Sequence, residues 1–234
     1  VALINADSAQ VYHGMDIGTA KPDPEIRRRF PHALMDFRDP ARPFSAGEFG
    51  RMAREEAERA FLGGRFPLLV GGTGLYFRAF AEGLAELPDG SPEIRERLAR
   101  EGRERGWEAL HRRLAERDPA AAEAIHPNDA QRILRALEVA EIAGRPLSEL
   151  QKDREGDRIP YPVLRCALWL PPEELGRRIG ERFRRLAEGG LVEETRALLA
   201  RGVPRESPAL RAVGYRQAVA YLDGEVDWEG FIAT

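Results

Sequence analysis

The chain has 234 residues, of which 43% are hydrophobic and 32% charged, and its formal net charge is −3 at pH 7. This composition excludes disordered and fibrous proteins and fits one large or two modest globular domains. The longest apolar runs are strand-sized, well short of the roughly 20 residues that cross a bilayer, so we expect a soluble protein with no membrane contact. Cys166 has no partner for an internal disulfide and no secretory signal is visible, which favours the cytoplasm.

Strand and helix signals alternate over the first ninety residues. Residues 1–6 and 33–37 are short apolar runs. Ser45 and Glu48 have the spacing of a capping box ahead of apolar residues at helical spacing, and Gly63 and Gly64 end that helix. Residues 66–70 then predict a strand, 71–74 a tight turn and 75–82 a helix. The alternation predicts a parallel sheet with flanking helices.

Strand signals vanish between residues 88 and 150. Residues 92–105, 107–117, 119–125 and 128–142 all predict helices, with Asp118 as a cap and Pro119 at the first helical position. Beyond this block, residues 163–170 predict a buried strand that contains Cys166, and 172–188, 191–201 and about 210–222 predict helices. We therefore expect an α/β core formed by residues 1–87 and 151–234, interrupted by an all-helical insertion at residues 88–150.

Two turns in the predicted core are suited to chemistry. Asp7 follows the first strand, and ligands of open α/β sheets bind beyond the carboxyl ends of strands, so Asp7 is placed for a general base or a metal-linked carboxylate. A simple cap for the next turn is the alternative interpretation. Gly71, Gly72 and Thr73 lie between a strand and a helix, where backbone N–H groups and a hydroxyl can bind a phosphate. A tight turn that binds nothing is an equally good interpretation.

Polar and basic residues elsewhere are weaker candidates. Lys21, one of only two lysines, can hold a phosphate as a point charge or lie in a solvated loop. Gln131 and Arg135 share one helix face and suit base edges and phosphates, although a solvated stripe has the same pattern. Arg182 and Tyr215 lie in a locally basic stretch, where Tyr215 could stack a base. The four histidines have no metal-ligand spacing.

The order and spacing of these motifs resemble the tRNA dimethylallyltransferases, also called tRNA isopentenyltransferases, over almost the whole chain. The matching residues are 7–12 (DSAQVY), 15–22 (MDIGTAKP), 44–46 (FSA), 69–76 (LVGGTGLY), 126–132 (HPNDAQR), 135–139 (RALEV) and 213–217 (VGYRQ). The resemblance implies a P-loop-kinase-like parallel sheet core with an all-helical insertion domain. It also implies transfer of a dimethylallyl group from dimethylallyl diphosphate to N6 of the adenosine next to the anticodon of tRNA, with Mg²⁺ and by a monomer.

The resemblance also implies roles for individual residues. Asp7 corresponds to the base that takes a proton from the adenine amine, and Thr73 to a catalytic residue at the bridging oxygen of the diphosphate. Gly71, Gly72, Thr73, Arg182 and Lys21 would bind the diphosphate. The residues that correspond to tRNA contacts are Asp7, Ser8, Ala9 and Gln10, then Arg95, then Gln131, Arg132, Ile133, Leu134 and Arg135, and finally Arg211, Ala212, Val213, Gly214, Tyr215 and Arg216.

The sequence departs from the family pattern at both ends. The family has a glycine-rich P-loop before the first strand and a basic segment at the end, and neither is present here. We therefore expect these residues to be part of a longer chain, with a Mg²⁺ ligand in the missing P-loop, assisted by Asp7. The alternatives are an adenylate isopentenyltransferase, a P-loop small-molecule kinase and a non-catalytic RNA-binding module. The helical insertion favours tRNA as substrate, and the polar strand ends favour an enzyme.

Overall fold

The computed structural model describes residues 1–85, 87–152 and 158–233. In chain order its elements are β1 (Ala2–Asn5), α1 (Pro24–Arg29), β2 (His32–Ala33), α2 (Ala46–Leu62), β3 (Pro67–Val70), α3 (Gly74–Glu82), α4 (Pro92–Arg105), α5 (Trp107–Arg117), α6 (Pro119–Ala124), α7 (Ala130–Ala143), α8 (Leu147–Leu150), α9 (Pro172–Leu186), a π-helical turn (Ala187–Leu191), α10 (Val192–Ala200), α11 (Tyr215–Leu222) and α12 (Trp228–Ala233). None of these helices is long and apolar enough to cross a membrane.

A small parallel sheet has the strand order β2-β1-β3. β1 pairs with β3 over its whole length, from Ala2 opposite Pro67 to Asn5 opposite Val70. β2 is shorter and pairs with only two residues of β1. Parallel neighbours need a crossover connection, and here α1 and α2 lie in the two connections. The predicted α/β class is therefore confirmed.

Helix α2 covers the sheet and orients the helix that follows β3. Its predicted capping box is confirmed, because the Ser45 hydroxyl accepts from the Glu48 N–H at 3.1 Å and the Glu48 carboxylate accepts from the Ser45 N–H at 3.2 Å. Phe49 on the buried face of α2 stacks on Tyr76 of α3, with ring centroids 4.1 Å apart. Ile4 of β1 belongs to the same buried cluster. This packing fixes the start of α3, directly after the glycine-rich turn.

The chain divides into two compact units, Val1–Ala81 with Ile159–Thr234, and Glu82–Arg158. The predicted insertion, residues 88–150, lies inside the second unit. Among the described residues this unit is helical, and its core contains Leu98, Leu110, Ile133 and Leu137. Asp118 begins α6 as predicted, since its side chain accepts from the Ala121 N–H at 3.0 Å.

One predicted element is wrong, and another begins later than predicted. Residues 163–170 form no strand, and Leu164 and Trp169 are 86% and 78% exposed, with Cys166 exposed between them. A strand is stabilised by hydrogen bonds to a neighbour, and no described strand pairs with this segment. The helix expected from about residue 210 begins only at Tyr215, because Gly214 adopts a left-handed φ of 92° that a continuous helix cannot contain.

Candidate active site

The carboxyl ends of β1 and β3 bring the two predicted turns together. The Ala6 N–H donates to the Val70 carbonyl at 2.7 Å, and the Thr73 N–H donates to the Ala6 carbonyl at 3.1 Å. Gly71 passes so close to this backbone that a Cβ there would lie 2.3 Å from the Ala6 carbonyl carbon. Gly72 has nothing within 4 Å of the corresponding position. Gly71 is therefore required by a close backbone approach, whereas Gly72 is not.

Thr73 and Ser8 are in direct contact although 65 residues separate them in the sequence. The Ser8 N–H donates to the Thr73 hydroxyl at 2.9 Å, and the Thr73 hydroxyl donates to the Ser8 hydroxyl at 3.1 Å. Both bonds are exposed. A phosphate oxygen could therefore accept the hydrogen bond of the Thr73 hydroxyl in place of the Ser8 hydroxyl.

Asp7 both caps a turn and keeps one carboxylate oxygen without a donor. Its Oδ1 accepts from the Ala9 N–H at 2.8 Å and from the Gln10 N–H at 3.2 Å. No described residue donates a hydrogen bond to Oδ2. The Asp7 N–H donates to Oδ1 of Asn5, a buried amide that in turn donates to the Leu34 carbonyl at 3.0 Å. The cap holds the carboxylate in place, and Oδ2 can take part in chemistry.

Lys21 does not fit the flexible phosphate clamp predicted from the sequence. Its side chain is 0% exposed, and its ammonium lies 2.8 Å from the Asp16 carboxylate and 2.7 Å from the Asp36 carboxylate. The same ammonium donates to the Tyr12 carbonyl at 2.8 Å. The ammonium therefore donates to Tyr12 and Asp36 and pairs its charge with two carboxylates, which leaves it buried and neutralised away from a ligand. The physical reason is that a buried charge is stable only when it is paired.

Asp36 is the carboxylate that collects these cations. It accepts from Lys21 and, through its other oxygen, from Arg27 at 2.7 Å. Burial alone would raise the pKa of the Asp36 carboxyl, but the hydrogen bonds from Lys21 and Arg27 outweigh it and hold this pKa below its usual range. The Lys21 segment is therefore anchored to the fold by a network of charges.

Arg182 on α9 is the predicted diphosphate cation that the structure leaves available. The side chain is exposed, and no carboxylate among the described residues forms an ion pair with it. Arg177 and Arg178, one turn earlier, are both paired with Glu174. No hydrogen bond between described residues joins Arg182 to the turn at residues 71–73, so its part in diphosphate binding stays a prediction.

The segment from Arg211 to Arg216 has an exposed and a buried side. Arg211, Val213 and Arg216 are exposed, whereas Ala212 is half-buried and packs against the core. Tyr215 is fully buried in the core, and its hydroxyl donates to the Glu194 carboxylate. The prediction that Tyr215 stacks a base is wrong for this reason, since its ring faces are covered by protein. Burial first, and then the hydrogen bond to Glu194, raise the pKa of Tyr215 above its usual value.

In the helical unit, two predicted tRNA contacts share one buried carboxylate. Glu138 accepts from Arg95 at 2.9 Å, from Arg135 at 2.9 Å and from the Ser91 N–H at 2.9 Å. Burial alone would raise the pKa of Glu138, but the bonds from Arg95 and Arg135 outweigh it and hold this pKa below its usual range. The two guanidinium groups therefore lie side by side, each still partly exposed.

The first turn of α7 separates its polar residues from its apolar ones. Gln131 and Arg132 are exposed, and the helix begins at a cap in which the Asp129 carboxylate accepts from the Arg132 N–H at 3.0 Å. Ile133 is fully buried in the core of the helical unit, and Leu134 is partly buried against it. A tRNA contact at Ile133 would therefore have to involve its backbone, and it stays a prediction.

The sequence profile of the IPP transferase family matches residues 10–234. The chain belongs to the IPP transferase family. Two solved members are similar over 99% of the chain: the full-length tRNA isopentenylpyrophosphate transferase of Bacillus halodurans (37% identity, TM-score 0.65, 72% of that chain covered) and the tRNA delta(2)-isopentenylpyrophosphate transferase of Staphylococcus epidermidis (31% identity, TM-score 0.64, 75% covered).

A third solved structure agrees in fold. It is a eukaryotic dimethylallyltransferase acting on tRNA, with 23% identity and a TM-score of 0.75; the match covers 99% of this chain and 59% of that one. In the described structure of this IPP transferase, the unit that contains the parallel sheet also contains helices, and the other unit is helical.

Sequence reasoning missed three polar residues around these sites. Asn5 supports the backbone of Asp7, Glu138 holds two arginines, and Glu194 binds Tyr215. Asn5 had a signal, since it is a polar residue at the end of an apolar strand. Glu138 lies in the matching stretch 135–139, which carried no role for it, and Glu194 had no signal, because it lies on a helix with other acidic residues close by.

Proposed function

We propose that this IPP transferase moves a dimethylallyl group from dimethylallyl diphosphate to N6 of the adenosine next to the anticodon of tRNA, acting as a monomer in the cytoplasm. The observation that supports this proposal is the contact between the Asp7 turn and Thr73 at the carboxyl ends of β1 and β3. In this contact a carboxylate, one of whose oxygens has no hydrogen-bond donor among the described residues, lies beside a hydroxyl and a glycine-rich turn, at the edge where ligands of open α/β sheets bind.

Asp7 would act as the general base. The adenine N6 attacks the allylic carbon of dimethylallyl diphosphate, the carbon–oxygen bond breaks, and its electron pair leaves with the diphosphate. The proton on N6 passes to Asp7 Oδ2, the oxygen without a donor among the described residues. Oδ1 stays bound to the N–H groups of Ala9 and Gln10. A base held in this way loses little orientation when its proton arrives.

The turn at residues 71–74 would stabilise the leaving group. Negative charge builds on the diphosphate as the carbon–oxygen bond breaks, so fixed donors and positive dipoles lower the barrier. The Thr73 hydroxyl and the N-terminus of α3 supply such groups. Arg182 would add a full positive charge.

Mg²⁺ would accompany the diphosphate. The described residues contain no group of three His, Cys, Asp or Glu side chains that could hold a metal ion. Mg²⁺ bound through a substrate phosphate typically takes one or two protein carboxylates, with phosphate oxygens and waters as its other ligands. Asp7 would assist through a water on the ion, because its Oδ2 takes the proton and its Oδ1 is bound to two N–H groups. When bound, the ion would offset charge on the diphosphate.

Exposed residues of both units would bind the tRNA. Arg211 and Arg216 are exposed in the first unit, and Gln131 and Arg132 at the start of α7 in the second. Arginine suits phosphate oxygens and Gln suits base edges. The target base must leave its stack to reach a base such as Asp7.

To test this proposal, the complete protein is incubated with labelled dimethylallyl diphosphate and either unmodified tRNA or AMP, and the label in each acceptor is measured. We expect label in tRNA. Label that enters AMP and not tRNA would identify an adenylate isopentenyltransferase and overturn the substrate, whereas no transfer to either would favour a kinase or a binding module.

The mechanism is tested by Asp7→Asn, which keeps an oxygen for the turn but cannot take a proton. General-base catalysis contributes roughly 10²- to 10⁴-fold, so we expect a loss of this size with tRNA affinity nearly unchanged. Asp39→Asn is the matched control, because Asp39 is an exposed aspartate that caps its own turn, through the Ala41 N–H, outside the site. An unchanged transfer rate in Asp7→Asn would remove Asp7 as the base.

A further inference from the structure

The Glu194 carboxylate of α10 binds the backbone of a distant loop. Its Oε2 accepts from the N–H groups of Asp16 and Ile17, each at 2.8 Å, and its Oε1 accepts from the Gly18 N–H at 3.1 Å. Consecutive backbone N–H groups that converge on one anion form a nest. Here the anion is a side chain of the protein itself, between 176 and 178 residues away along the chain.

Tyr215 completes the attachment. Its hydroxyl donates to the same oxygen, Glu194 Oε1, so this carboxylate accepts four hydrogen bonds. Gly18 packs directly on the ring, since a Cβ at Gly18 would lie 2.5 Å from Tyr215 Cε2 and 2.7 Å from Leu191 Cδ1. The loop is therefore held by both hydrogen bonds and packing.

Gln10 connects the loop at residues 16–18 to the Asp7 turn. The side-chain amide of Gln10 donates to the Thr19 carbonyl at 3.1 Å, directly after the residues that Glu194 holds. The backbone N–H of Gln10 donates to Asp7 Oδ1 at 3.2 Å. Gln10 thus links the loop to the carboxylate proposed as the base.

We propose that Glu194 and Tyr215 are a positioning pair that holds the loop at residues 16–18 and, through Gln10, orients Asp7 for transfer. The proposal rests on the proposed function. In the proposed mechanism, neither Glu194 nor Tyr215 contacts the reacting atoms. Because Tyr215 lies in the segment from Arg211 to Arg216, the pair also connects a predicted tRNA-binding segment to the base.

Two conservative variants weaken the pair without changing its shape. Glu194→Gln keeps the size but replaces one accepting oxygen by an amide nitrogen, so part of the nest loses its acceptor. Tyr215→Phe keeps the buried ring and removes only the hydroxyl. A small misplacement of a catalytic group can cost 10²-fold in rate, so we expect kcat to fall roughly 10- to 100-fold in Glu194→Gln, and less in Tyr215→Phe.

The experiment measures steady-state transfer to tRNA by the complete protein. We expect a lower kcat in both variants, with the KM for dimethylallyl diphosphate and the Kd for tRNA unchanged, and with faster hydrogen exchange at the amides of residues 16–18. Glu193→Gln is the matched control, because Glu193 is exposed beside Glu194 and pairs only weakly with Arg196, at 3.6 Å. It should behave as the wild type.

A double-mutant cycle separates positioning from general stability. If Glu194 acts through Gln10, the loss of kcat caused by Glu194→Gln should be much smaller in a Gln10→Ala background. Additive losses, an unchanged kcat in both single variants, or a raised KM with kcat unchanged would each refute the pair. If Glu194→Gln does not fold, Tyr215→Phe decides alone. No transfer by the wild type and Glu193→Gln would refute the proposed function and the inference with it.

Discussion

Glu138→Gln is the substitution that most directly tests the charges inside the helical unit. The buried carboxylate accepts four hydrogen bonds: one from the Ser91 N–H and one from Arg135, each at 2.9 Å, and two from Arg95, at 2.9 and 3.1 Å. In the variant, one oxygen becomes an NH₂ group that faces an arginine N–H, so at least one of these bonds is replaced by a contact between two donors. The two arginines then lose the charge that holds them together.

The expected loss follows from the exposure of the partners. A hydrogen bond to a charged group contributes about 1.5–3 kcal/mol net. The Arg95 and Arg135 side chains are 55% and 34% exposed, so water can replace part of what they lose. We therefore expect the free energy of unfolding to fall by about 2 kcal/mol, near the lower end of that range.

The loss should depend on pH. Arg95 and Arg135 hold the pKa of Glu138 below its usual range, against the effect of burial. A carboxyl with a lowered folded-state pKa stabilises the protein above its unfolded pKa, about 4.3, and loses this contribution as the pH falls through the folded value. Glutamine does not titrate. The difference in free energy of unfolding between wild type and variant should have its full size at pH 7 and should become smaller below about pH 4.

Urea unfolding followed by far-UV circular dichroism measures both effects. Glu149→Gln is the control, because Glu149 and Arg145 are each about half exposed and 3.7 Å apart, and an exposed pair of this kind contributes about 0.5 kcal/mol or less. A loss at pH 7 no larger than that of Glu149→Gln, or a gap that stays constant down to about pH 3, would refute the stabilising role of Glu138.

Four further substitutions, one of them a control, test residues whose roles the structure changed or sharpened. Lys21→Met should lower the free energy of unfolding by about 2 kcal/mol, because the Tyr12 carbonyl and Asp36 lose a donor, although Asp36 keeps Arg27. The KM for dimethylallyl diphosphate should not change; a raised KM with unchanged stability would restore Lys21 as a phosphate ligand. Gly71→Ala should lower the free energy of unfolding by about 1–3 kcal/mol, because the added Cβ overpacks against Ala6. Gly72→Ala is the control and should have the melting temperature of the wild type, because the space around Gly72 is open. Equal melting temperatures of the two variants would refute the close approach at Gly71. Asp118→Ala should lower the free energy of unfolding by about 2 kcal/mol, because this carboxylate caps α6 and also accepts from the Ser148 N–H at 2.8 Å. A loss under about 0.5 kcal/mol in urea unfolding would refute a stabilising role for Asp118.

The sequence by itself determined the features whose partners lie within a few residues. The capping box of α2 and the cap at Asp118 were predictable because donor and acceptor are three residues apart. The parallel sheet followed from the alternation of strands and helices. The meeting of Asp7 with the glycine-rich turn was also foreseeable, since parallel strands end at the same edge of a sheet.

Only the tertiary structure decided how distant groups are paired. Residues 163–170 have strand composition but no strand partner among the described residues. Lys21 is bound by Asp36, Tyr215 by Glu194, and two exposed-looking arginines by Glu138. Most of these interactions join residues that are far apart in the sequence, so no sequence pattern links them. The exception is the pair of Arg135 and Glu138, which are three residues apart on one helix. The charge of a side chain can be read from the sequence, but whether it faces a ligand or a buried counter-charge depends on which distant segment packs against it.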